Sequence, residues 1–419
     1  MIESASSDAM VGLLGQLSQN ESYARRLDIY KDFCKQGWPT QKKRRYRWVD
    51  FSKIADKPWQ FAQKQNHPSG HDLTDEEAWV LLWVDGHFQG IQHQPSDFPG
   101  TVRFSQGLSE APLGDAPFSI LSQCLSMGQH EVVLKQSEAL SHPIYMIHWQ
   151  THASSPMTSQ VKQRIVLESN SRAQIRVQYL GEGAEALWLN HEWDIVLGKN
   201  AHCSLNFLQE PRGQVYQSKC IHASLDQHAQ LNLRQVNTGL CWGFEDIIVK
   251  LQGEGAQFAM AQTTALSQSQ CLSQSVQVHH QASHTTSNVV ARSLLDGASI
   301  HHLQMHAHIE PKVVGCCAQQ NHRSLLVSDS ASAHSDPQLI IANDDVSCAH
   351  GSTISQLDPK DIFYLQSRGF SYEEALNVLS MAFLTALIDQ LDMPSWSLLP
   401  QVIGRLFNQE CMIEHIECK

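Results

Sequence analysis

The chain is 419 residues long and carries a formal net charge of −12. An acidic protein of this kind is not built to bind nucleic acid or an anionic membrane surface, because both are bound through broad basic fields. Its 11 cysteines contain no CxxC pair and follow no secretory signal, which excludes a disulfide framework and a locally encoded zinc ribbon.

The N-terminus has no basic region followed by an apolar run, and no stretch approaches the ~20 apolar residues of a membrane span. We therefore expect a cytoplasmic protein. Residues 1–155 give mixed signals that predict a largely helical region, with helical stretches from Val11 to Cys34 ended by the turn Gly37-Trp38-Pro39. The dense basic run Lys42-Lys43-Arg44-Arg45 is interpreted as a solvated face.

From 156 to 355 the sequence alternates apolar and polar residues between turn residues, which predicts many short strands. Similar strands begin at Ala173, Ala201, Ala229 and Ala256, at spacings of 28, 28 and 27. Equal spacing favours a β-helix over a β-sandwich, since a repeat buries its apolar face by stacking on its neighbours. The same turn residues return before Ala298 and Ala331, after gaps of 42 and 33 that we interpret as insertions.

After Ile354 the alternation stops, and 356–419 is predicted to be a helical domain that caps the solenoid. Asp358-Pro359 predicts the start of a first helix, which Gly369 ends. Ser371 and Glu374 form the pattern of a capping box for a second helix, predicted to reach about Leu391.

Ten of the 23 histidines lie in one stretch together with Cys316, Cys317 and Cys348, so this is the region richest in metal-ligand types. In a β-helix, residues far apart in sequence can converge on adjacent turns. The vicinal cysteines cannot share one face of a strand and are interpreted as structural. The histidines are His279, His280, His284, His301, His302, His306, His308, His322, His334 and His350.

Cys348 and His350 are two residues apart, so on a strand both side chains leave by the same face. A thiolate and an imidazole make half of a tetrahedral metal site and can await ligands from another chain. The pair also has the residue types of a nucleophile and its base. No oxyanion-hole turn or third orienting residue accompanies it, so we expect a protein that is not an enzyme.

The stretch from Ser324 to Gly369 resembles the C-terminal signature of the SufB/SufD family of iron–sulfur cluster assembly proteins. It contains PQLII, DDVSCAHG and FYLQSRG in that order, and it is most similar to the SufD branch. Three features favour SufD over SufB: the CxHG motif, the shorter chain, and His322 in the place of the sulfur-accepting cysteine of SufB. The resemblance covers about the last 140 residues.

The resemblance implies a mainly β protein, a right-handed parallel β-helix flanked by N-terminal and C-terminal helical domains, that acts as a non-catalytic scaffold. It further implies a heterodimer with SufB through the β-helix, with a homodimer of the isolated chain left open. Iron or an iron–sulfur cluster would be held only transiently at that interface and no cofactor permanently. By the same resemblance His350, Cys348 and His322 are the interface residues, and the C-terminal helices dock the ATPase SufC through Phe363, Tyr364, Leu376, Leu379 and Phe383.

Two other functions remain open on the residues alone. The histidine-rich stretch is compatible with an autonomous metal-binding or metal-storage protein. A β-helical carbohydrate-active enzyme would need a groove with paired carboxylates, and the strands here are poor in them.

Overall fold

A computed structural model describes residues 10–17, 22–39, 41–63, 78–96, 98, 100–106, 117–126, 128–151, 154–181, 184–209 and 213–388. Residues 389–419, which include the end of the second predicted C-terminal helix, lie outside this part of the chain.

The helices lie near the two ends of the described chain, as the sequence predicted. They are α1 (Tyr23–Gln36), α2 (Ser52–Ala55), α3 (Pro117–Leu125), α4 (Pro359–Ser367) and α5 (Tyr372–Ile388), with a 3-10 turn at Arg44–Tyr46 and a helical segment at 10–16. None of the described helices combines the length and the hydropathy that a membrane span requires.

The predicted caps of the C-terminal helices are present. The Asp358 carboxylate accepts a hydrogen bond from the backbone N–H of Lys360 at 2.9 Å. Ser371 N–H donates to the Glu374 carboxylate at 2.7 Å, and Glu374 N–H donates to Ser371 Oγ at 3.2 Å, which is the reciprocal pair of a capping box. Gly369 separates the two helices with a φ of +100°, a conformation that glycine adopts without strain.

The described residues contain twenty strands. They are β1 (Gln60–Phe61), β2 (Trp79–Val84), β3 (His87–His93), β4 (Thr101–Gln106), β5 (Gly128–Leu134), β6 (Ile144–Gln150), β7 (Met157–Leu167), β8 (Arg172–Gly181), β9 (Ala184–Leu197), β10 (His202–Gln209), β11 (Gly213–Leu225), β12 (Gln230–Thr238), β13 (Leu240–Leu251), β14 (Gln257–Leu266), β15 (Cys271–His280), β16 (Thr286–Leu295), β17 (Ile300–Ile309), β18 (Cys316–Leu326), β19 (Ser332–Ile341) and β20 (Val346–Gln356).

The strands from β7 onward form a β-solenoid of seven turns, which confirms the predicted fold class. Odd-numbered strands pair in parallel in one sheet, called sheet A, and even-numbered strands pair in parallel in the other, called sheet B. Paired positions in consecutive turns of sheet B are 27 to 31 residues apart, close to the predicted repeat.

Each of the first six turns passes from sheet A to sheet B through a corner residue with a left-handed φ between 56° and 70°. The backbone N–H of each corner residue donates to a carbonyl of the next turn at 2.8 to 3.2 Å, so the hydrogen-bond ladder continues through the corner. The residue that follows each corner is compact and buried. The pairs are Asn170-Ser171, Asn200-Ala201, His228-Ala229, Gly255-Ala256, His284-Thr285 and Gly315-Cys316.

Three of the four predicted alanines stack in this corner column, but Ala173 does not. Ala173 pairs with Cys203, two residues beyond the corner, and Ser171 takes its place in the column. The gaps before Ala298 and Ala331 are not insertions, because these residues lie at the opposite corners, between β16 and β17 and between β18 and β19. The interpretation failed because both corners of a turn use similar turn residues.

Inward-facing side chains of the two sheets form one continuous hydrophobic core. In sheet B a single column stacks Ile175, Leu205, Leu233 and Met260 in register, each at most 2% exposed. Burying such a side chain stabilises the fold by about 1.5–3 kcal/mol relative to leaving it in water. The predicted apolar face of these strands is therefore buried, and in strands such as β11 and β13 most outward-facing residues are buried as well.

Helices cover the outer faces of both sheets. On sheet A, Phe118 of α3 packs against Phe244 with ring centroids 5.4 Å apart. On sheet B, Leu384 of α5 packs against Leu294 and Leu325. The prediction that the C-terminal helices cap the end of the solenoid is therefore wrong for the described residues, since α5 lies along the side of sheet B, against β14 and β16.

The two ends of the solenoid differ. At the first end β3 and β4 pair in antiparallel fashion with β2 and β5 and form the outermost strands. The described part of the predicted helical N-terminal region thus also contains β1–β6, several of which extend the two sheets. At the other end, β19 and β20 are the outermost strands and pair with the solenoid on one side only.

The corner column predicts a sensitive position. Ala229→Leu should lower the free energy of unfolding by about 1–3 kcal/mol, because the larger side chain meets Ala201 and Ala256 one strand spacing away on either side. Urea denaturation followed by far-UV circular dichroism measures this. The control Gln257→Leu, at an exposed position beside the column, should change the value by no more than about 0.5 kcal/mol. Equal losses in the two variants would contradict the corner packing.

Candidate functional site

The last turn of the solenoid, formed by β19 and β20 and called the terminal rung, presents two free strand edges. Within the described chain neither strand has a partner on its outer edge. Long unprotected edges are uncommon because their unpaired N–H and C=O groups attract other strands. Ile340, Ile341 and Ile354 on these strands are 41% to 45% exposed. The terminal rung is thus an apolar surface with open backbone hydrogen-bonding groups.

Cys348 and His350 lie together on β20 of the terminal rung. They pair with Ala318 and Gln320, which are buried in the solenoid, so both side chains are on the inward face of the strand, as predicted. His350 is exposed, whereas Cys348 is partly buried beside Ile309. Burial raises the pKa of the Cys348 thiol, so the thiol keeps its proton at neutral pH. The open end of the solenoid interior therefore holds an accessible imidazole beside a protonated thiol.

His322, the third predicted interface residue, lies inside the solenoid. Its side chain is fully buried on β18, and the terminal rung covers it through Ser352, its paired neighbour. The imidazole Nε2 is hydrogen-bonded to Ser293 Oγ at 2.9 Å and to Ser324 Oγ at 3.1 Å. The structure therefore does not bring His322 to the exposed edge with His350. The sequence resemblance that suggested His322 as an interface residue gives its position along the chain, but not whether its side chain is exposed to solvent.

His322 instead ends a buried polar seam that runs along the interior. Ser293 is also hydrogen-bonded to His301 at 2.7 Å, and His301 to Gln274 at 2.8 Å. Gln274 in turn donates to Glu245, which forms an ion pair with Lys219 at 2.8 Å. These hydrogen bonds and the ion pair link the buried polar groups of the seam to one another, while the Nδ1 atom of His322 has no hydrogen-bond partner among the described residues.

The histidine-rich stretch does not converge on one place. His279 and His308 face each other on the outer face of sheet A, with ring centroids 5.6 Å apart. His301 and His322 are interior, and His334 lies under Trp48 on the outer face. Within the described residues, no group of three or more His, Cys, Asp or Glu side chains is arranged to hold a metal ion.

The vicinal cysteines lie on opposite faces of β18, as predicted. Cys316 is buried, with its Sγ 3.3 Å from Thr285 Oγ1, while Cys317 is partly exposed on the outer face. The two thiols therefore cannot act as a chelating pair on one face of the strand.

The α4–α5 segment exposes four aromatic residues: Phe363 (72%), Tyr364 (56%), Phe370 (40%) and Tyr372 (55%). Large aromatic side chains are enriched where proteins bind one another. Of the five residues predicted to bind a partner here, Phe363 and Tyr364 are exposed.

The other three predicted residues of this segment are less accessible. Leu376 and Leu379 are half-buried. Phe383 packs on sheet B, its ring lies under the guanidinium of Arg292, and its carbonyl accepts a hydrogen bond from that residue. Phe363 and Tyr364 are therefore accessible to a partner, whereas α5 uses the face with Phe383 to dock on the solenoid, and binding of a partner through this segment stays a prediction.

One buried cluster has the residue types of a hydrolytic triad. Ser119 Oγ lies 3.3 Å from His222 Nε2, and Glu192 Oε1 lies 4.0 Å from the same nitrogen. In a working triad the base contacts the nucleophile and the carboxylate through different ring nitrogens. All three side chains are also buried. The cluster therefore lacks the geometry of nucleophilic catalysis.

The basic run is only in part the solvated face that the sequence suggested, because Lys42 and Lys43 are exposed while the two arginines form ion pairs with sheet A. Residues 41–48, called the basic clasp, lie across the outer face of sheet A. Arg45 forms an ion pair with the fully buried Asp246, and Arg44 with Asp336. Trp48 stacks on His334, with ring centroids 4.0 Å apart and planes 12° from parallel. The sequence shows the arginines and the tryptophan but not their acidic partners, which lie about 200 and 290 residues away.

Comparison with known proteins supplies the remaining information. The family model "SUF system FeS cluster assembly, SufBD core domain" matches residues 148–383, which span the solenoid and most of α5. An iron–sulfur cluster assembly SufBD family protein of Synechocystis sp. is 22% identical over 345 residues, 77% of this chain and 76% of the relative. Protein ABCI7, chloroplastic, of Arabidopsis thaliana is 23% identical over 84% of this chain and 79% of its own length. The iron–sulfur cluster assembly protein SufD of Escherichia coli is 38% identical over 73 residues, 17% of each chain.

The buried histidines predict an acid-labile fold. Burial lowers the pKa of His322 and of His280 to about 4. A histidine in the unfolded chain has a pKa of about 6.5, so below that pH the unfolded chain takes up a proton that the buried residue does not. The free energy of unfolding is therefore highest above pH 6.5 and decreases as the pH falls toward 4. Urea denaturation at pH 7 and 5 should show a loss on the order of 2 kcal/mol per buried histidine.

His322→Asn should reduce this pH dependence, because it removes one group that must stay neutral in the folded state. Asn321→Ala, an exposed change on the same strand, should leave it unaltered. An unchanged dependence in His322→Asn would show that another group causes the acid lability.

Proposed function

The chain belongs to the SufB/SufD family of iron–sulfur cluster assembly proteins, and on that premise we propose that it is the SufD-type scaffold subunit. In this role it pairs with a SufB chain through the terminal rung. It contributes His350 and Cys348 to a nascent cluster at that interface, and it docks the ATPase SufC through the α4–α5 segment.

The observation that carries the proposal is the terminal rung itself. The terminal rung has two strand edges with unpaired backbone groups and exposed isoleucine side chains. A second solenoid can pair with these strands and bury the isoleucines against its own apolar end. The family motif DDVSCAHG places Cys348 and His350 on this same rung. Partner contact and metal-binding side chains are thus combined in one place.

The chemistry of the two side chains suits a cargo that must be released. His350 offers a neutral nitrogen ligand, and Cys348 must lose its proton before it can bind iron. Two ligands from one chain fill half of a tetrahedral coordination sphere, so a cluster needs further ligands from the partner. In this scheme the cluster is the product handed on, and the chain binds no permanent cofactor.

Assignment to the SufD branch has two supports. The CxHG sequence at 348–351 is similar to the SufD signature, and the relative with the highest identity quoted above is named SufD. In this branch the chain receives no substrate of its own.

Docking of SufC is supported by the exposed aromatic residues of the α4–α5 segment. α5 is fixed to sheet B through Leu384 and through the contact of Arg292 with Phe383. A movement of α4 and α5 driven by an ATPase would therefore be passed to the solenoid. This gives a physical route from ATP hydrolysis to the interface.

The first test concerns His350. His350→Ala should leave folding and SufB association nearly intact, because loss of one exposed imidazole typically costs no more than about 1 kcal/mol. Cluster maturation should fall sharply, measured by complementation of a SUF-dependent strain and by cluster yield on the purified complex. Cys348→Ala should be milder, since ligation can persist through the imidazole. Full activity of His350→Ala in both assays would remove the site assignment.

The second test concerns the terminal rung. Ile354→Lys should abolish association with a SufB chain, because pairing would bury an unpaired charge. The matched control Thr353→Lys lies on the opposite face of the same strand and should retain association. Co-purification and analytical ultracentrifugation are the measurements, and they also report any homodimer of the isolated chain. Retained pairing of Ile354→Lys would place the interface elsewhere.

The third test concerns α4. Phe363→Glu should abolish SufC binding, since a charge would replace the most exposed aromatic side chain of the surface. Ala382→Glu adds the same charge at an exposed position of α5 and should bind normally. Binding is measured by pull-down and by calorimetry. If both variants bind SufC as well as the unmodified chain does, the docking surface does not include α4.

A further inference from the structure

A cavity of about 910 Å³ lies between the basic clasp and the outer face of sheet A, and it extends to Ile354 of the terminal rung. Its volume is that of a small-molecule binding pocket. The side chains that give it chemical character are Lys42, Arg47, Trp48, His302 and Gln304. No residue of the Cys348 and His350 pair lines it.

The cavity carries positive charge in a chain whose net charge is −12. Arg44 is neutralised by Asp336. Lys42 and Arg47 also line the cavity, and within the described chain neither has an acidic group at ion-pair distance. Two cations held beside one cavity without a counter-charge favour an anion.

One buried polar atom of the cavity wall has no hydrogen-bond partner. Gln304 is 1% exposed, and its Nε2 donates to the Arg44 carbonyl at 2.8 Å, which leaves Oε1 without a donor. Buried polar atoms are rarely left unpaired, so this oxygen indicates a polar occupant. Gln304 Oε1 requires an occupant that donates a hydrogen bond.

The remaining wall is aromatic. Trp48 stacks on His334 and is 39% exposed, so it offers a flat apolar surface beside the cations. Burial lowers the pKa of His302 to about 4, which leaves its ring neutral at neutral pH. An occupant that uses this wall has a carbon skeleton and is larger than an inorganic ion.

We propose that this cavity binds a small organic anion that carries a phosphate or carboxylate group and a hydroxyl or amine donor. The anionic group faces Lys42 and Arg47, and the donor reaches Gln304. The inference does not depend on the scaffold function, because it concerns the isolated chain and residues outside the cluster ligands.

Calorimetric titration of the full-length chain tests this with four probes: glycerol 3-phosphate, glycerate, inorganic phosphate and glycerol. Saturable binding of glycerol 3-phosphate or glycerate is expected, and the stronger of the two identifies the anionic group. Inorganic phosphate should bind more weakly and glycerol not at all. Binding should weaken as the salt concentration rises, since exposed charges are screened.

Variants locate the site. Lys42→Gln and Arg47→Gln should each weaken binding about tenfold, the effect of one charge-assisted contact. Lys43→Gln removes the same charge one residue away, outside the cavity lining, and should bind normally. Gln304→Leu should weaken glycerol 3-phosphate more than inorganic phosphate, because only the former has alcohol hydroxyls on a carbon skeleton that reaches Gln304 while its phosphate faces Lys42 and Arg47.

Two results would overturn the proposal. One is the lack of saturable binding by both organic probes at millimolar concentration. The other is an equal loss in Lys43→Gln and Arg47→Gln, which would indicate non-specific attraction to the basic run. All three charge-removing changes are at exposed positions, so circular dichroism is expected to show folded variants.

Discussion

The structure depends on one constraint, the in-register hydrogen bonding of parallel strands from one turn to the next. A parallel ladder continues only if every turn brings the next strand into register with the preceding strand, one strand spacing further along the solenoid axis. The left-handed corner residue meets this requirement, because its N–H donates to the next turn while the backbone changes sheets. Asn, His and Gly fill the corner since these residues adopt a left-handed φ at least expense. The stacked core and the interior polar seam follow from that register.

The backbone hydrogen-bonding groups of each turn are paired with those of the neighbouring turns, so the first and last turns each have one unpaired side unless other strands cover it. At the first end β3 and β4 reverse direction. At the second end the ladder stops with two full-length strands, and its unmet hydrogen bonds become a surface for association. The same repetition that stabilises the interior therefore leaves two unpaired strand edges in the described chain, and the proposed partner binds there. Cys348 and His350 lie at that place, within reach of ligands from another chain.

The sequence revealed this architecture to the extent that local residues set it. The alanine period was visible because each corner needs a compact residue after the left-handed one, and it shifted at Ala173 because Ser171 meets the same need. The shared face of Cys348 and His350 followed from strand geometry alone. What could not be predicted depends on contacts across the chain. The burial of His322 results from the turn laid over it, and the basic clasp depends on Asp246 and Asp336 in distant strands.

Under the proposed scaffold function, the protonated thiol of the terminal pair favours a cluster that is bound only for a time. Partial burial favours the protonated thiol of Cys348, so binding iron there must displace a proton against the local environment. A partner that supplies further ligands and excludes water offsets the free-energy cost of deprotonating Cys348. When the partner leaves, that cost again disfavours binding of iron. In the proposed function, affinity for the cluster therefore rises when the interface closes and falls when it opens. Because α5 is anchored on sheet B, motion at the α4–α5 segment can act on that interface through the solenoid. A rigid ladder with one weakly ligating, open end is therefore suited to assembly followed by release.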